Sequence, residues 1–398
     1  ILRPPRSTLF PYTTLFRSYK KIGSCKVLVV TGCMAQRYKN EIIEEVPEVD
    51  AVLGTTSYGD ILKAIREAME GKHFQEFKDI DYLPEKLGKR VLTTGGHFGY
   101  LKIAEGCDKH CTYCIIPKLR GKFRSVPMER LVTQAKEMAE EGVKELILVA
   151  QETTVYGTDI YGKKSLHILL KELCKIKGIR WIRVLYCYPE EIYDELIQTM
   201  KEEKKICHYL DLPIQHASDR ILKRMGRRTT QAELVEIVNK LRREIPDIVL
   251  RTTLISGFPG ETQEDHEELM SFVDEMEFDR LGVFTYSPEE DTPAATMPDQ
   301  VAEEVKEARR DEIMELQQEI SYDKGTDRIG QEFLVMIEGK VADESAYIGR
   351  TYGDAPKVDG YIFVQTGELL MTGDFAKVRV TGALEYDLIG ELADEYTE

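Results

Sequence analysis

The chain has 398 residues, of which 42% are hydrophobic and 31% are charged, and its formal net charge is −16. This composition predicts a globular protein with roughly two or three domains, and no apolar stretch approaches the ~18 residues that a membrane span requires. Because lysine and arginine supply most of the affinity for nucleic acid, the negative charge disfavours binding of phosphate groups by the whole surface and favours a basic partner.

The N-terminal part of the chain divides into a short segment without periodicity and a β/α region. Residues 1–18 contain no acidic residue, and we interpret them as a non-native leader. Residues 19–88 predict the remnant of a small parallel α/β domain, with strands at 26–31 and 51–53 and helices at 40–45 and 60–70. Cys33 follows the first strand, where open α/β sheets place ligands, although a lone cysteine is more often a core or loop thiol. We interpret Cys25 as structural.

Repeated strand–helix units dominate the middle of the chain. After a predicted linker at 72–99, apolar strands are predicted at 100–104, 145–150, 181–187, 208–214, 248–256 and 280–286. Amphipathic helices are predicted between them at 128–141, 165–175, 189–201, 231–244 and 262–276. Such units close into a full or partial barrel, assigned here to residues 98–300, and its chemistry lies at the carboxyl ends of the strands.

Three cysteines follow the first of these strands at spacings of four and three residues: Cys107, Cys111 and Cys114. Three thiolates on one short loop can hold an iron–sulfur cube while leaving its fourth iron without a protein ligand, so that this iron can bind a small molecule. A structural zinc ion needs four protein ligands, and His110 lies too close in sequence to complete a tetrahedron easily. Three unrelated buried thiols are the other alternative. Eight cysteines, unevenly clustered, indicate a reduced compartment, which we take to be the cytoplasm, with metal chemistry rather than a disulfide scaffold.

Polar residues end several of the predicted strands. Gln151 and Glu152 follow the second strand, and Gln215 and His216 follow the fourth. They are either helix caps or part of the same rim as the cysteine loop. After the fifth strand, residues 257–261 (GFPGE) form a strand-to-helix turn whose glycines also let the backbone approach a ligand closely.

Charged residues in two places need partners or solvent. Arg251 lies within the fifth strand, and a charged residue in a buried strand requires a carboxylate, either from a ligand or from an internal Asp or Glu. A short basic run follows the cysteine loop and is either a solvated face or a contact for an acidic side chain: Lys118, Arg120, Lys122 and Arg124.

The C-terminal part changes from helical to strand periodicity. Residues 301–330 are predicted to contain a linking helix with an apolar stripe of Val301, Val305, Ala308, Ile313, Leu316 and Ile320. Residues 331–398 alternate with a period of two and predict a small all-β barrel of about five strands. The predicted fold class is therefore α/β, a partial (β/α)6 barrel preceded by an incomplete small α/β domain and followed by an all-β barrel.

Three segments resemble one enzyme family. The segment GCDKHCTYCIIPKLRGKFRS resembles the methylthiotransferase branch of the radical S-adenosylmethionine (SAM) superfamily, VVTGCMAQ is similar to that branch's N-terminal domain, and the tail is similar to a TRAM domain. The resemblance implies that Cys107, Cys111 and Cys114 hold a 4Fe–4S cluster whose open iron binds SAM, with Tyr113 beside the adenine. It implies further SAM contacts from the strand ends and the glycine-containing turn: Gln151, Glu152, Gln215, Arg251, Gly257, Pro259 and Glu261.

The resemblance also implies a second 4Fe–4S cluster that supplies the sulfur and has Cys33 as one of its three ligands. The other two ligands belong upstream of Cys33, in the region occupied by residues 1–18, and Cys25 is a poor substitute. We therefore expect this chain to cleave SAM and to bind the second cluster poorly. Iron and sulfide analysis after anaerobic reconstitution tests this expectation, which two full clusters per chain would contradict.

Within the branch, AQETTVYG, VLYCYPEEI and DLPIQHAS look like the members that methylthiolate the β-carbon of an aspartate in small-subunit ribosomal protein twelve; the tRNA-modifying members are the alternative. Residues 332–398 contain five basic and fourteen acidic residues. A barrel that grips RNA should be basic, so this one is expected to contact a basic protein. The implied partners are that ribosomal protein, the small ribosomal subunit and an electron donor, with no membrane. A non-catalytic iron–sulfur or zinc assembly factor is the alternative from a different class.

Overall fold

The computed structural model describes residues 18–83, 91–342 and 344–393. The predicted leader, apart from its last residue, lies outside the described residues. The chain forms two compact units. The first comprises the N-terminal residues to 91 together with 105–124 and 287–295, and the second comprises 92–104, 125–286 and 296 onward. Within the described ranges, every helix is too short or too polar to cross a membrane.

The first unit contains a three-stranded parallel sheet in the order β1 (Val29–Thr31), β2 (Ala51–Leu53) and β3 (Phe74–Glu76). Its helices are α1 (Cys33–Tyr38), α2 (Glu41–Glu45) and α3 (Ile61–Met69), with a short 3₁₀ turn at Tyr58–Asp60. Strand β3 lies in the segment predicted to be a linker, so that prediction is wrong there. Three residues with one buried apolar side chain, Phe74, are too few to show a strand period.

The second unit is built on an open six-stranded parallel sheet in the order β4-β7-β8-β9-β10-β11, which confirms the predicted α/β class and partial barrel. The strands are β4 (Phe98–Lys102), β7 (Glu145–Val149), β8 (Trp181–Val184), β9 (Ile206–Asp211), β10 (Val249–Ser256) and β11 (Arg280–Thr285). Strands β5 (Ala104–Glu105) and β6 (Arg124–Ser125) pair in a separate two-stranded ribbon.

Helices lie between the strands along the chain, and five of them are predicted by the apolar periodicity. They are α4 (Ile116–Arg120), α5 (Met128–Glu140), α6 (Leu166–Cys174), α7 (Asp194–Glu202), α8 (Asp219–Arg224), α9 (Gln231–Glu244) and α10 (Gln263–Met276). Helices α4 and α8 are not predicted from the sequence, because segments of five and six residues are too short for a helical period. The predicted helix at 189–201 begins as a separate 3₁₀ turn, Pro189–Glu191, before α7.

A long helix, α11 (Glu303–Thr326), leads to the C-terminal domain. That domain is a closed barrel in the order β12-β13-β14-β16-β15, which confirms the predicted five strands. Their bounds are β12 (Glu332–Lys340), β13 (Ala346–Arg350), β14 (Ile362–Gln365), β15 (Phe375–Ala383) and β16 (Leu388–Leu392).

The C-terminal barrel packs on the amino-terminal end of the parallel sheet. Phe98, Trp181 and Val249 are the first residues of their strands, and they share a buried apolar cluster with Met336 and Phe375 of the barrel. The rings of Trp181 and Phe375 meet edge to face at 4.9 Å between centroids. The carboxyl end, where parallel sheets of this class place ligands, lies at the opposite edge.

Helices α9 and α10 begin with capping boxes. In α10, the Thr262 side chain accepts from the Asp265 N–H at 3.3 Å, and the Asp265 carboxylate accepts from the Thr262 N–H at 2.8 Å. Ser218 and Arg220 donate to the same carboxylate. Burial would raise the pKa of Asp265, but these donors outweigh it and lower the pKa to about 2.

Replacing Asp265 with asparagine should cost about 1 kcal/mol at neutral pH, because a capping carboxylate is lost. Since the folded-state pKa lies below the ordinary value of 3.8, this contribution is complete above that pH and disappears as the pH falls toward about 2. Thermal unfolding between pH 7 and pH 2 measures the effect. The difference between wild type and variant should shrink with acidification, whereas Asp274→Asn, on the exposed face of the same helix, should change little at either pH.

Candidate functional site

The three-cysteine loop of the first unit begins at Gly106, where another segment of backbone passes so close that a side chain would clash with it. Gly106 has φ of +80°, and a Cβ there would lie 2.1 Å from the Lys122 carbonyl oxygen. This close approach brings the returning chain beside the loop, and the Cys107 N–H donates to the Gly121 carbonyl at 3.2 Å. A side chain at position 106 would push the two segments apart.

The three cysteine side chains are not in disulfides, and backbone donors are directed at two of them. Cys107 and Cys111 are buried and Cys114 is half-buried. The Lys109 N–H donates to Cys107 Sγ and the Ile116 N–H donates to Cys114 Sγ, each at 3.4 Å. Hydrogen bonds of this kind stabilise a thiolate and tune an iron–sulfur cluster.

These residues fit a cluster better than a single metal ion. Among the residues that the structure describes, no three His, Cys, Asp or Glu side chains converge closely enough to hold one ion. A cube places each thiolate on a different iron, so its ligands need not converge on one point. His110, the fourth ligand that a zinc site would need, is exposed. Burial raises the pKa of the Cys114 thiol, so a bound metal must displace its proton.

Other segments of the first unit hold the loop in place. The Phe123 N–H donates to Asp108 Oδ1 at 3.1 Å, and the Ala294 N–H donates to the Thr112 carbonyl at 2.9 Å. Tyr113, predicted to lie beside the adenine, is half-buried within this loop.

The basic run is only partly a solvated face. Lys118 is exposed and donates to the Asp291 carbonyl at 2.7 Å, whereas Arg124 pairs with Asp81 at 3.1 Å. Arg120 turns toward the N-terminal sheet, where its Nε lies 3.2 Å from Cys33 Sγ. The structure thus brings Cys33, at the start of α1, beside the helix that follows the three-cysteine loop. Cys25 lies before β1, outside the sheet, and donates to the Val27 carbonyl at 3.4 Å.

In the second unit, Gln151 and Gln215 are half-buried at strand ends. Gln215 has φ of +73°, its N–H donates to the Thr253 carbonyl at 2.9 Å, and its carbonyl accepts from the Ile255 N–H at 2.8 Å. A non-glycine residue in this conformation stores backbone strain that packing must offset, and such residues cluster at functional sites.

Glu152, one of the predicted SAM contacts, has partners for its carboxylate close by in the sequence. Its side chain is buried, and its Oε1 accepts from the Thr154 N–H at 3.0 Å and from the Thr154 hydroxyl. The carboxylate therefore caps the turn after β7, which was the alternative weighed for it.

Arg251 finds its carboxylate partners inside the protein. Its Nη1 lies 2.7 Å from Asp211 Oδ1 on β9, and its Nε lies 3.3 Å from Asp359 Oδ1 in the C-terminal domain. These two contacts account for a charged residue in the strand without a ligand, and they match the internal alternative.

The turn at 257–261, which we call the glycine turn, is held from behind by its own glutamate. Gly257 and Gly260 have φ of +70° and +83°, and both are positions that favour glycine. Glu261 Oε2 accepts from the Gly257 N–H at 2.8 Å and from the Phe258 N–H at 3.1 Å. Its side chain has no exposed surface, and the contact of Glu261 with SAM stays a prediction. Pro259 is buried, and its carbonyl accepts from Arg224 Nε at 2.9 Å.

Helix α11 contributes residues that the sequence pattern missed. Lys306 and Arg309 are buried, whereas Val305 and Ala308 of the predicted apolar stripe are exposed. The second half of the stripe, including Ile313 and Ile320, is buried as predicted. The first half of α11 packs on the polar glycine turn, so its buried face carries Lys306 and Arg309 instead of the apolar stripe. The one sequence signal for this face would have been the pairing of a basic residue with a carboxylate far away in the chain.

Comparisons with known proteins agree with these features. The family model of the radical SAM superfamily matches residues 101–273, and that of the TRAM domain matches residues 329–393. A "Ribosomal protein uS12 methylthiotransferase RimO" from Lachnoclostridium phytofermentans is 64% identical over 372 residues, which are 94% of this chain and 84% of the relative. Proteins of the same name from Clostridium perfringens and Clostridioides difficile are 53% and 49% identical over 379 and 380 residues, covering 95% and 96% of this chain and 84% and 85% of those relatives.

Proposed function

The chain belongs to the radical SAM methylthiotransferases of the RimO type, and on that premise we propose that it adds a methylthio group to the β-carbon of an aspartate in ribosomal protein uS12. The observation that carries the proposal is the set of three cysteine thiols on one loop, with backbone N–H groups directed at two of them. Membership in the superfamily implies a 4Fe–4S cluster and SAM.

Cys107, Cys111 and Cys114 would hold that cluster, which supplies the open iron for SAM and the electron that cleaves its sulfonium. The N–H groups of Lys109 and Ile116 would stabilise two of the thiolates, and the burial of Cys107 and Cys111 would keep water from the sulfurs. Tyr113, Gln151, Gln215 and the backbone of the glycine turn are the proposed SAM-binding groups.

A second 4Fe–4S cluster is proposed for the N-terminal unit, with Cys33 as one ligand. Within residues 18–83 the other cysteine is Cys25, whose thiol donates to the Val27 carbonyl. The described residues therefore supply one ligand of this cluster and do not complete it.

The acidic C-terminal domain is proposed to meet the basic substrate protein. Three of its carboxylates, Glu338, Asp354 and Asp359, are used to bind arginines within the chain. Others are exposed and remain for a partner: Glu344, Glu368, Glu385 and Glu391. Complementary charge of this kind steers association more than it adds affinity.

The proposed activity is tested by anaerobic incubation of the reconstituted chain with SAM, dithionite and either purified uS12 or tRNA. We expect 5′-deoxyadenosine and a uS12 product that carries a methylthio group in place of a hydrogen on one aspartate, measured by mass spectrometry. A uS12 variant with alanine at that aspartate is the control. Modification of tRNA alone would favour the tRNA-modifying alternative, and the absence of 5′-deoxyadenosine would favour the non-catalytic assembly factor.

A further inference from the structure

We propose that His216, Glu261 and Arg309 are positioning residues that fix the glycine turn for SAM, with Arg309 reaching the turn from helix α11. The inference rests on the proposed function, because it takes the glycine turn as part of the SAM site. It adds to that function a support that lies behind the turn and contacts no ligand.

Glu261 is the centre of this support. Its Oε2 accepts from two successive backbone N–H groups of the turn, and its Oε1 accepts from Arg309 Nη1 at 2.9 Å. Burial would raise the pKa of Glu261, but His216 and Arg309 outweigh it and hold the pKa below its ordinary value. The carboxylate is therefore ionised at neutral pH and binds both N–H groups strongly.

His216 faces Glu261 from the loop between β9 and α8. Its Nδ1 accepts from the Ser218 N–H at 3.0 Å, which places the ring proton of the neutral imidazole on Nε2. That Nε2 is fully buried and lies 3.5 Å from Glu261 Oε2. The histidine thus directs its one ring N–H toward the carboxylate that holds the turn.

Arg309 makes the third contact and belongs to a helix that lies directly on the turn. It donates to both the side chain and the backbone carbonyl of Glu261, at 2.9 and 3.2 Å. Ser256 Oγ donates to the Lys306 carbonyl at 2.9 Å, and a Cβ on Gly257 would lie 2.1 Å from Lys306 Cγ. No side chain at position 257 fits beneath this helix.

Removing Arg309 leaves a buried carboxylate without its counter-charge. The Glu261 carboxylate must then bind a water molecule or a proton in place of Arg309. The turn can also adopt other backbone conformations, because two of its residues are glycines. SAM binding would then have to return the turn to its bound conformation, so the affinity for SAM falls. The rate of SAM cleavage once SAM is bound is unaffected.

The experiment compares Arg309→Met and Arg309→Lys with Arg310→Met. Arg310 is the neighbouring residue on the same helix, is partly exposed and pairs with Asp311, so its variant controls for a change in helix charge. Hydrogen exchange at the amides of Gly257 and Phe258 is measured on the chain before loading. The dissociation constant of SAM and the rate of 5′-deoxyadenosine formation at saturating SAM are measured after reconstitution.

For Arg309→Met we expect faster exchange at both amides and about tenfold weaker SAM binding, with the saturated rate unchanged. Arg309→Lys should recover part of the affinity, and Arg310→Met should match wild type. Unchanged exchange in Arg309→Met would overturn the proposed support. Faster exchange with unchanged affinity would overturn the assignment of the turn to SAM.

If Arg309→Met does not fold, Glu261→Gln is measured in the same way. This variant keeps the side-chain shape and an oxygen acceptor for the N–H groups of Gly257 and Phe258, and it loses the negative charge that attracts Arg309. Faster exchange with weaker SAM binding in that variant supports the inference, and wild-type values overturn it. A wild-type chain that binds no SAM would contradict the proposed function, whereas the exchange measurement would still report on the support.

Discussion

Replacing any one of Cys107, Cys111 and Cys114 with alanine should abolish the formation of 5′-deoxyadenosine. With one thiolate missing, a second iron of the cube lacks a protein ligand, and the cluster is either lost or has no defined site for SAM. The measurement is chromatography of the products after anaerobic incubation with SAM and dithionite, together with the iron content of each reconstituted variant.

Cys174→Ala is the matched control, because this cysteine is half-buried at the end of α6 and burial raises the pKa of its thiol to about 12. It should retain iron and activity. A Cys111→Ala variant that keeps both the iron and the cleavage of SAM would contradict the assignment of the three-cysteine loop.

The second large effect is expected for Glu145→Gln, which should lower the free energy of unfolding by about 3–5 kcal/mol. Glu145 is fully buried at the first position of β7 and binds Arg183 Nε at 2.8 Å and Arg350 Nη2 at 2.7 Å. The second contact joins the sheet to β13 of the C-terminal barrel. Without the carboxylate charge, two buried guanidinium groups lose their shared partner.

Urea unfolding followed by fluorescence measures this loss, and Glu332→Gln provides the contrast. Glu332 pairs with Lys377 and Arg379 near the surface of the C-terminal barrel, where exposed pairs contribute at most about 1 kcal/mol. Equal unfolding midpoints for the two variants would show that the buried pair contributes no more than the exposed pair.

The buried pairing also explains part of the acidity of the C-terminal domain. Charge counts along the sequence treat all fourteen carboxylates as available to a partner. Three of them instead bind Arg251, Arg280 and Arg350 within the chain. The choice between a basic protein and RNA as partner therefore rests on the remaining exposed carboxylates and on the RimO relatives.

Features that depend on neighbouring residues were predictable from the amino-acid sequence. Apolar periods predicted the parallel sheet, most of its helices and the five-stranded barrel, because local repeats decide which face of an element can be buried. The spacing of Cys107, Cys111 and Cys114 likewise placed three thiols on one loop and indicated a cluster with an open iron.

The pairing of charged groups becomes visible in the folded chain alone. Glu145 and Arg350 are 205 residues apart in the chain, and Glu261 and Arg309 come from a turn and a helix that no local pattern connects. A buried charge must find an opposite charge wherever packing brings one within reach, and the period of a segment carries no information about that partner. For this reason, the place of Glu261 in the turn could be predicted from the sequence, and its partner Arg309 could not.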